Sequence, residues 1–363
     1  MTQLAQQHGA INLSQGFPDF SCPPKLAELV SYYTQNGFNQ YAPMAGLLAL
    51  REKISLKTQL LYGLSPDPET EITVTSGATE ALFAAIAAVV RPGDEVLVLE
   101  PAYDSYVPAI VLNGGKPVFV PLTFPEFTID WDLVKQRLTP KTRLLLINSP
   151  HNPTGAVIKA ADLQQLAALV QDKDLYIISD EVYEHMVFDG HQHQSLLQHP
   201  DLAARSFVIS SFGKTYHTTG WKVGYCVAPP VLTQEFRKIH QYLTFSTVTP
   251  IQYALADYLD YTEHYLGLPD FYEQKRNLFC ELVSSSRFTL VPSAGTYFQL
   301  LRYEAITPEP DLAFAKRLTK EIGVAAIPIS VFYHQGQDHR VLRFCFAKNE
   351  STLQEAARRL CSL

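Results

Sequence analysis

The sequence has no apolar run long enough to cross a membrane, no excess of basic residues and only five cysteines. No stretch of about 18 apolar residues occurs, and the opening MTQLAQQHGA is too polar to be a secretion signal. The cysteines are scattered, odd in number and without CxxC spacing, which is typical of the reducing cytoplasm and supports neither a zinc site nor disulfides. A net charge of −7 argues against a nucleic-acid-binding surface.

The length and the order of the segments indicate two domains. At 363 residues the chain is too long for one minimal core. Strand-like and helix-like segments alternate up to about residue 260, which predicts the α/β class: a mostly parallel central sheet flanked by helices. Beyond residue 261 the pattern changes and predicts a smaller α+β domain. We expect strands at 72–75, 95–99, 117–120, 144–148, 175–179, 207–210, 224–228, 288–291, 296–300 and 341–346, and helices at 47–61, 79–90, 161–171, 234–242, 270–284 and 351–360.

A lysine follows one of these strands in the run VISSFGKTYHTTGWKVGY, residues 208–225. Lys214 has a hydroxyl residue, Ser211, three positions before it and a second cation, Lys222, eight positions after it. Desolvation beside another cation lowers the pKa of an amine and lets it attack a carbonyl carbon. The run therefore suits a Schiff-base lysine that holds pyridoxal phosphate (PLP), with Ser211 and Lys222 binding the phosphate. A solvated surface lysine is the alternative.

Three further clusters lie at strand ends. In IISDEVYE, Asp180 ends a strand and would keep a pyridine nitrogen protonated, while Tyr183 would donate to the cofactor's phenolate oxygen; the alternative for Asp180 is a helix N-cap. In LLLINSPHNPTG, Asn148 and Asn152 would face a pocket, unless the run only forms an ordinary turn. In ITVTSGATEAL, a strand leads into a glycine turn and then a helix. The start of that helix, at Gly77, Ala78 and Thr79, would bind a phosphate.

The clusters occur in the order found in class I and II aminotransferases, the PLP enzymes of fold type I. The pattern SxxKxxxxxGxxxG at 211–224 is the signature of that family, and the resemblance runs from residue 11 to the C terminus. QGFPDF (15–20), NQYAPMAG (39–46), EPAYDSY (100–106) and KIHQYLTFS (238–246) are most similar to the subgroup of the bacterial methionine aminotransferases and the kynurenine and glutamine aminotransferases.

The resemblance implies roles for residues that the clusters do not include. Tyr103 would stack on the cofactor ring, and Tyr41 would reach the cofactor phosphate of the neighbouring subunit in a homodimer with shared active sites. Arg343, in the strand VLRFCF, would bind the α-carboxylate of the substrate through its forked guanidinium. Substrate contacts are implied for Gly16, Phe17, Asn152, Phe245 and Arg343. It also implies a large PLP-binding domain at 37–260, a discontinuous small domain at 1–36 and 261–363, and cis bonds before Pro101 and Pro153.

The reaction expected is transamination of an amino acid with a 2-oxo acid acceptor. Aminotransferases for dicarboxylates use a second arginine, but none lies between Arg237 and Arg276, where Tyr242, Phe245 and Thr247 occur instead. An apolar, aromatic pocket favours methionine and other large neutral or aromatic amino acids. Kynurenine or glutamine transamination and PLP-dependent C–S β-elimination are alternatives, and a PLP-sensing regulatory module is a third. Members of the family have a further segment before the position of Met1, so we expect an altered lid over the substrate pocket.

Overall fold

The computed structural model describes residues 1–363, which form thirteen β-strands and fifteen α-helices. The strands are β1 Ile11–Asn12, β2 Ile72–Thr75, β3 Glu95–Glu100, β4 Lys116–Pro121, β5 Thr142–Asn148, β6 Tyr176–Asp180, β7 Ser206–Ser211, β8 Gly224–Val227, β9 Thr289–Val291, β10 Phe298–Arg302, β11 Val324–Ala325, β12 Ile327–Pro328 and β13 Val341–Cys345. The helices are α1 Thr2–Gln7, α2 Pro24–Gln35, α3 Leu48–Tyr62, α4 Gly77–Val89, α5 Tyr106–Leu112, α6 Trp131–Arg137, α7 Ala160–Val170, α8 Pro200–Ala203, α9 Phe212–Thr215, α10 Pro230–Leu243, α11 Thr249–Tyr258, α12 Glu263–Leu266, α13 Leu268–Val283, α14 Asp311–Arg317 and α15 Glu350–Leu360.

Seven strands form a central sheet in the order β2-β8-β7-β6-β5-β3-β4. The five neighbouring strands β7, β6, β5, β3 and β4 pair in parallel. Strand β8 runs antiparallel to its two neighbours, β2 and β7. This confirms the predicted α/β class with a mostly parallel sheet. Because β2, β3, β5, β6 and β7 run in the same direction, their carboxyl ends meet at one edge, where open α/β sheets bind ligands.

The sheet is buried on both faces, as its continuous apolar strands require. Successive side chains of a strand point to opposite faces, so Leu144 and Leu146 pack in one apolar cluster with the alanine-rich helix α4. Leu145 and Ile147 pack in a second, larger cluster on the other face. Helices therefore cover both sides and leave the strand ends as the accessible part of the sheet.

Two smaller sheets lie towards the C terminus. β12, β13, β10 and β9 form a four-stranded antiparallel sheet, and β1 pairs in parallel with β11, so that Ile11 lies opposite Val324. Helix α13 packs against α15, and α2 packs against α11. The N-terminal strand is thus joined by hydrogen bonds to a segment more than 300 residues later, and it delivers residues 14–17 to the edge of the large sheet.

The predicted segments are all present, with ends that differ by a few residues. The bonds before Pro101 and Pro153 are cis, as expected. The helices that were not predicted are α1, α2, α5, α6, α8, α9, α11, α12 and α14, and the strands that were not predicted are the two-residue strands β1, β11 and β12. The presence of Pro108 disfavours a helix prediction for α5. In the structure, however, Pro108 lies in the first turn of the helix, where proline removes no intrahelical hydrogen bond. No helix has the length and apolar character needed to span a membrane.

Candidate active site

Two adjoining cavities open at the carboxyl ends of the parallel strands. The inner one, of about 140 Å³, lies between the start of α4, the ends of β5 and β6 and the turn after β7. The outer one, of about 450 Å³, lies between the segment 14–16 and strand β13. Tyr103, Asn152, Tyr183 and Lys214 line both cavities. A group held in the inner cavity would therefore share these four side chains with a second molecule in the outer one.

Lys214 extends from the single turn of helix α9, which follows β7, to the boundary between the cavities. Its Nζ donates to the Tyr297 hydroxyl at 2.7 Å and to the Gly16 carbonyl at 3.2 Å. No carboxylate pairs with it within 4 Å. Burial, together with the Arg343 and Lys222 charges, lowers the pKa of Lys214 to about 8. A substantial fraction of this amine is consequently neutral, and nucleophilic, near neutral pH.

Asp180 ends strand β6 with its carboxylate buried in the inner cavity. It accepts a hydrogen bond from the Tyr106 hydroxyl at 2.7 Å. Burial raises the pKa of Asp180 to about 6, against the opposing effect of that hydrogen bond. Asn148 donates to the Asp180 carbonyl at 2.8 Å and accepts from the Asn152 N–H at 2.8 Å. Asn148 thus fixes both residues at the strand ends, and a cation beside Asp180 would remove the cost of burying its charge.

The opposite end of the inner cavity is built to hold an anion. The first N–H groups of helix α4 have no intrahelical partner and lie at the positive end of the helix dipole. Gly77 has φ +75°, and a Cβ there would lie 3.3 Å from Lys222 Nζ, so the ammonium and the helix start are in direct contact. Ala78, Thr79 and Ser211 complete the lining. Glycine suits this position because its φ is positive and because a side chain would crowd the end of Lys222.

Arg343, in the middle of β13, faces the outer cavity without an acidic partner. It is 7% exposed and forms no salt bridge within the chain. One terminal nitrogen donates to Asn152 Oδ1 at 2.6 Å and the other to the Ser14 carbonyl at 3.2 Å, while its Nε has no partner. The guanidinium carbon lies 3.9 Å from the centre of the Phe298 ring. A buried guanidinium without a counter-ion is a binding site for a carboxylate.

Comparison with known proteins identifies the family. Residues 8–360 match the family "aminotransferase class I and II". The chain belongs to this family. Its sequence is 53% identical to the methionine aminotransferase of Escherichia coli, over 100% of this chain and 94% of that protein. It is 34% identical to the human kynurenine–oxoglutarate transaminase 1, over 97% of this chain and 92% of that protein.

Solved aminotransferase structures match the whole fold. An E. coli enzyme with a methionine aminotransferase function superposes with a TM-score of 0.98, covering 100% of this chain and 96% of that one. The N-succinyldiaminopimelate aminotransferase of Mycobacterium tuberculosis superposes with a TM-score of 0.96 at 40% identity, covering 100% and 95%. The chain is therefore an aminotransferase of PLP fold type I, and its family uses PLP.

Most of the residues predicted from the aminotransferase resemblance lie together. The inner cavity is lined by Gly77, Ala78, Thr79, Tyr103, Asn148, Asn152, Asp180, Tyr183, Ser211, Lys214 and Lys222, and the outer one by Gly16 and Arg343. Tyr41, Phe17 and Phe245 line neither cavity; they are 83%, 42% and 46% exposed. Tyr41 and Phe245 touch each other edge to face, with ring centres 5.3 Å apart. In this single chain they form part of the surface.

Other residues of the aminotransferase site were not predicted. Tyr106 contacts Asp180, Tyr297 contacts Lys214, and the outer cavity has aromatic and aliphatic side chains from the small-sheet region, namely Phe298, Ile327, Val331 and Phe332. Tyr106 lies three residues after Tyr103, a helical spacing that offered a weak signal. The other residues are far from the motifs in sequence, and no local pattern indicates that they meet there.

Proposed function

We propose that the protein binds PLP in the inner cavity and transaminates methionine and other large neutral or aromatic L-amino acids with a 2-oxo acid acceptor. The observation that carries the proposal is the position of Lys214 between the two cavities. The inner cavity contains the Asp180 carboxylate and an anion site, and the outer cavity contains the unpaired guanidinium of Arg343. The donor set fits the cofactor, since Lys222 and the start of α4 suit its phosphate and Asp180 suits its ring nitrogen.

PLP when bound supplies an electrophilic carbon and a ring that accepts electrons. The residues of this chain do the rest of the work. Asp180 would keep a proton on the ring nitrogen, and that positive charge would offset the cost of burying the Asp180 carboxylate. Tyr103 would pack on the ring, and Tyr183 would donate a hydrogen bond to the phenolate oxygen. Lys214 Nζ would hold the cofactor and, once free, would take the proton from the substrate Cα, as a general base with a lowered pKa can.

The outer cavity supports the choice of substrate. Arg343 would hold the α-carboxylate of every donor, with Asn152 Oδ1 fixing one guanidinium nitrogen. Apart from Arg343, the only cationic side chain that lines the outer cavity is Lys214, and Asp104 adds a negative charge to the lining. A second, distal carboxylate would find no partner there, and an unpaired buried charge is costly. The apolar walls from Phe298, Ile327, Val331 and Phe332 suit a neutral side chain such as that of methionine.

A homodimer is part of the proposal. Apolar and aromatic side chains are exposed together around the start of α11 and the end of α10: Tyr41, Tyr242, Leu243, Phe245 and Val248. Contiguous exposed apolar surface indicates a contact with another molecule. We place this surface against the active site of the second subunit, with Tyr41 reaching its phosphate site. We also propose that residues 37–260 form the large domain, with 1–36 and 261–363 as the small one, and that the enzyme is cytoplasmic, which suits its five free cysteines.

Kynurenine is a second candidate donor, favoured by the aromatic side chains of the outer cavity and by the 34% identity with the human transaminase. A panel of donors with one 2-oxo acid acceptor separates the candidates. We expect methionine to exceed aspartate in kcat/KM by more than it exceeds leucine, because one methylene discriminates by roughly 1–3 kcal/mol and an unpaired carboxylate costs more. Equal turnover of aspartate and methionine would contradict the proposal. So would release of ammonia and pyruvate from cystathionine without an acceptor, which is the product pattern of C–S β-elimination.

A further inference from the structure

Tyr297 contacts the lysine at the centre of the site, yet the proposed mechanism gives it no role. Its hydroxyl oxygen lies 2.7 Å from Lys214 Nζ. The same hydroxyl donates to the Gly16 carbonyl, which also accepts from Lys214 at 3.2 Å. Tyr297 has no exposed surface and lines neither cavity. It therefore contacts the amine from the protein side and leaves the side facing the cavities open.

The backbone that carries Tyr297 is anchored on both sides. A Cβ at Gly295 would lie 2.7 Å from the Pro150 side chain, so the turn packs directly on the loop after β5. The Thr296 N–H donates to the Met186 carbonyl at 3.0 Å, which ties the turn to the loop after β6. The Tyr183 and Tyr297 rings meet edge to face, with centres 5.1 Å apart. The hydroxyl is consequently fixed relative to the residues that face the cofactor cavity.

The hydrogen-bond directions define what this hydroxyl can do. Its single proton is donated to the Gly16 carbonyl, so its lone pair is left to accept a hydrogen bond from Lys214 Nζ. Burial holds the pKa of Tyr297 well above its usual range, and the phenol stays neutral at working pH. It can hold the lysine amine in place but cannot take its proton.

We propose that Tyr297 is a positioning residue of the transamination, whose hydroxyl, oriented by the Gly16 carbonyl, holds the Lys214 amine beside Tyr183 whenever that amine is free. The proposal rests on the proposed function for the identity of the reaction. It also assigns a role to residues 14–16 beyond lining the outer cavity, since the Gly16 carbonyl accepts hydrogen bonds from both Tyr297 and Lys214. Loss of the hydroxyl removes the nearer of two acceptors from the ammonium form of Lys214 and leaves only the Gly16 carbonyl, at 3.2 Å, to direct the amine.

The first test uses the cofactor-free protein and does not depend on catalysis. The reactivity of Lys214 towards an amine-acylating reagent is followed from pH 6 to 11 by peptide mass spectrometry, which gives the pKa of its amine. Tyr297→Phe should lower that pKa by about one unit, because a hydrogen bond to the charged form is lost. Tyr303→Phe is the matched control. Tyr303 is equally buried and donates to the Glu309 carbonyl at 2.8 Å, away from Lys214.

The second test is kinetic. Tyr297→Phe should lower kcat by roughly tenfold to a hundredfold through misplacement of the amine and leave KM for methionine unchanged, since Tyr297 does not reach the outer cavity. Tyr303→Phe should change neither. A Lys214 pKa and a kcat that are the same in both variants would overturn the proposal. Should Tyr297→Phe not fold, Tyr297→Met, which fills the space without a hydroxyl, is measured in the same way.

Activity of the native protein distinguishes a wrong role for Tyr297 from a wrong function for the enzyme. A native protein that transaminates methionine while Tyr297→Phe behaves like Tyr303→Phe overturns the role of Tyr297 only. A native protein that does not transaminate overturns the function.

Discussion

At the residue scale, the site depends on charged groups that are buried before their ligands arrive. Arg343 has an unpartnered Nε and forms no salt bridge within the chain. Asp180 has only hydrogen-bond donors around it, and the pKa of Lys214 is lowered to about 8. Burying such groups costs stability in the cofactor-free protein, and the cost is removed when a carboxylate or a protonated ring nitrogen binds. Perturbed groups of this kind cluster at functional sites.

Arg343 should matter equally for every donor. Arg343→Ala removes the guanidinium that holds the α-carboxylate, so kcat/KM should fall for methionine, leucine and phenylalanine by a similar factor, equivalent to about 2–5 kcal/mol. Arg343→Lys keeps the charge but loses the fork, and should recover only part of the loss. Steady-state kinetics with the three donors measures this. A loss confined to one donor would show that Arg343 contacts the side chain and not the shared carboxylate.

Asp180 gives a dependence of stability on pH. Its folded pKa of about 6 lies above its unfolded value, so its contribution is most favourable below about pH 4 and is lost as the pH rises through 6. In the cofactor-free protein, the stability of Asp180→Asn relative to the native chain should rise by about 2 kcal/mol as the pH is raised from 4 to 7. Urea unfolding at both pH values measures the difference. A difference that is the same at both values would contradict the burial of this charge.

At the element scale, strand ends and helix starts place the chemistry. β5, β6 and β7 end at Asn148, Asp180 and Ser211, and α4 begins at Gly77. These junctions could be predicted from the sequence, because apolar strands and glycine turns are local patterns. Tyr297 and Phe332 could not, since they reach the site through the pairing of β10 and of β12 with β13. The partners in such pairings lie far apart in the sequence, and no local periodicity identifies them.

The helix start at Gly77 offers a matched pair of variants. Gly77→Ala places a methyl group 3.2–3.3 Å from the end of the Lys222 side chain, at a positive φ. It should weaken PLP binding by roughly tenfold or more, because a charge-assisted contact to the phosphate is displaced. Gly63→Ala has nearly the same φ, +76°, but open space around it. It should cost about 1 kcal/mol of stability and leave PLP affinity unchanged. Equal affinity in both variants, by fluorescence titration, would contradict the phosphate site.

At the scale of the whole molecule, the single chain accounts for the inner cavity but not for every residue that the family resemblance implies. Tyr41 and Phe245 were predicted to bind cofactor and substrate, and here they are exposed. The family resemblance implied roles for Tyr41 and Phe245, and under the proposed homodimer their place in a site depends on a second copy of the chain. Lys214, Asp180 and Arg343, by contrast, reach the two cavities within one chain.

Mixing two inactive variants tests the shared site. Lys214→Ala lacks the catalytic amine, and Tyr41→Ala lacks the residue proposed to act across the interface. In a mixed dimer, the subunit with native Lys214 would receive native Tyr41 from its partner, so one native site forms. Unfolding and refolding the two variants together should therefore restore up to about a quarter of the native activity, given random pairing with half of the dimers mixed and one site in each. No restoration would mean that Tyr41 acts within its own chain.

Lys214 is the lysine that we propose holds PLP. Borohydride reduction of the protein with bound PLP, followed by proteolysis and peptide mass spectrometry, tests this directly, with Lys214→Ala as the control. We expect a pyridoxyl group on Lys214 alone, a visible absorbance band that reduction removes, and neither in the folded Lys214→Ala variant. A pyridoxyl group on Lys222 or another lysine of the native protein, or none on any, would contradict it.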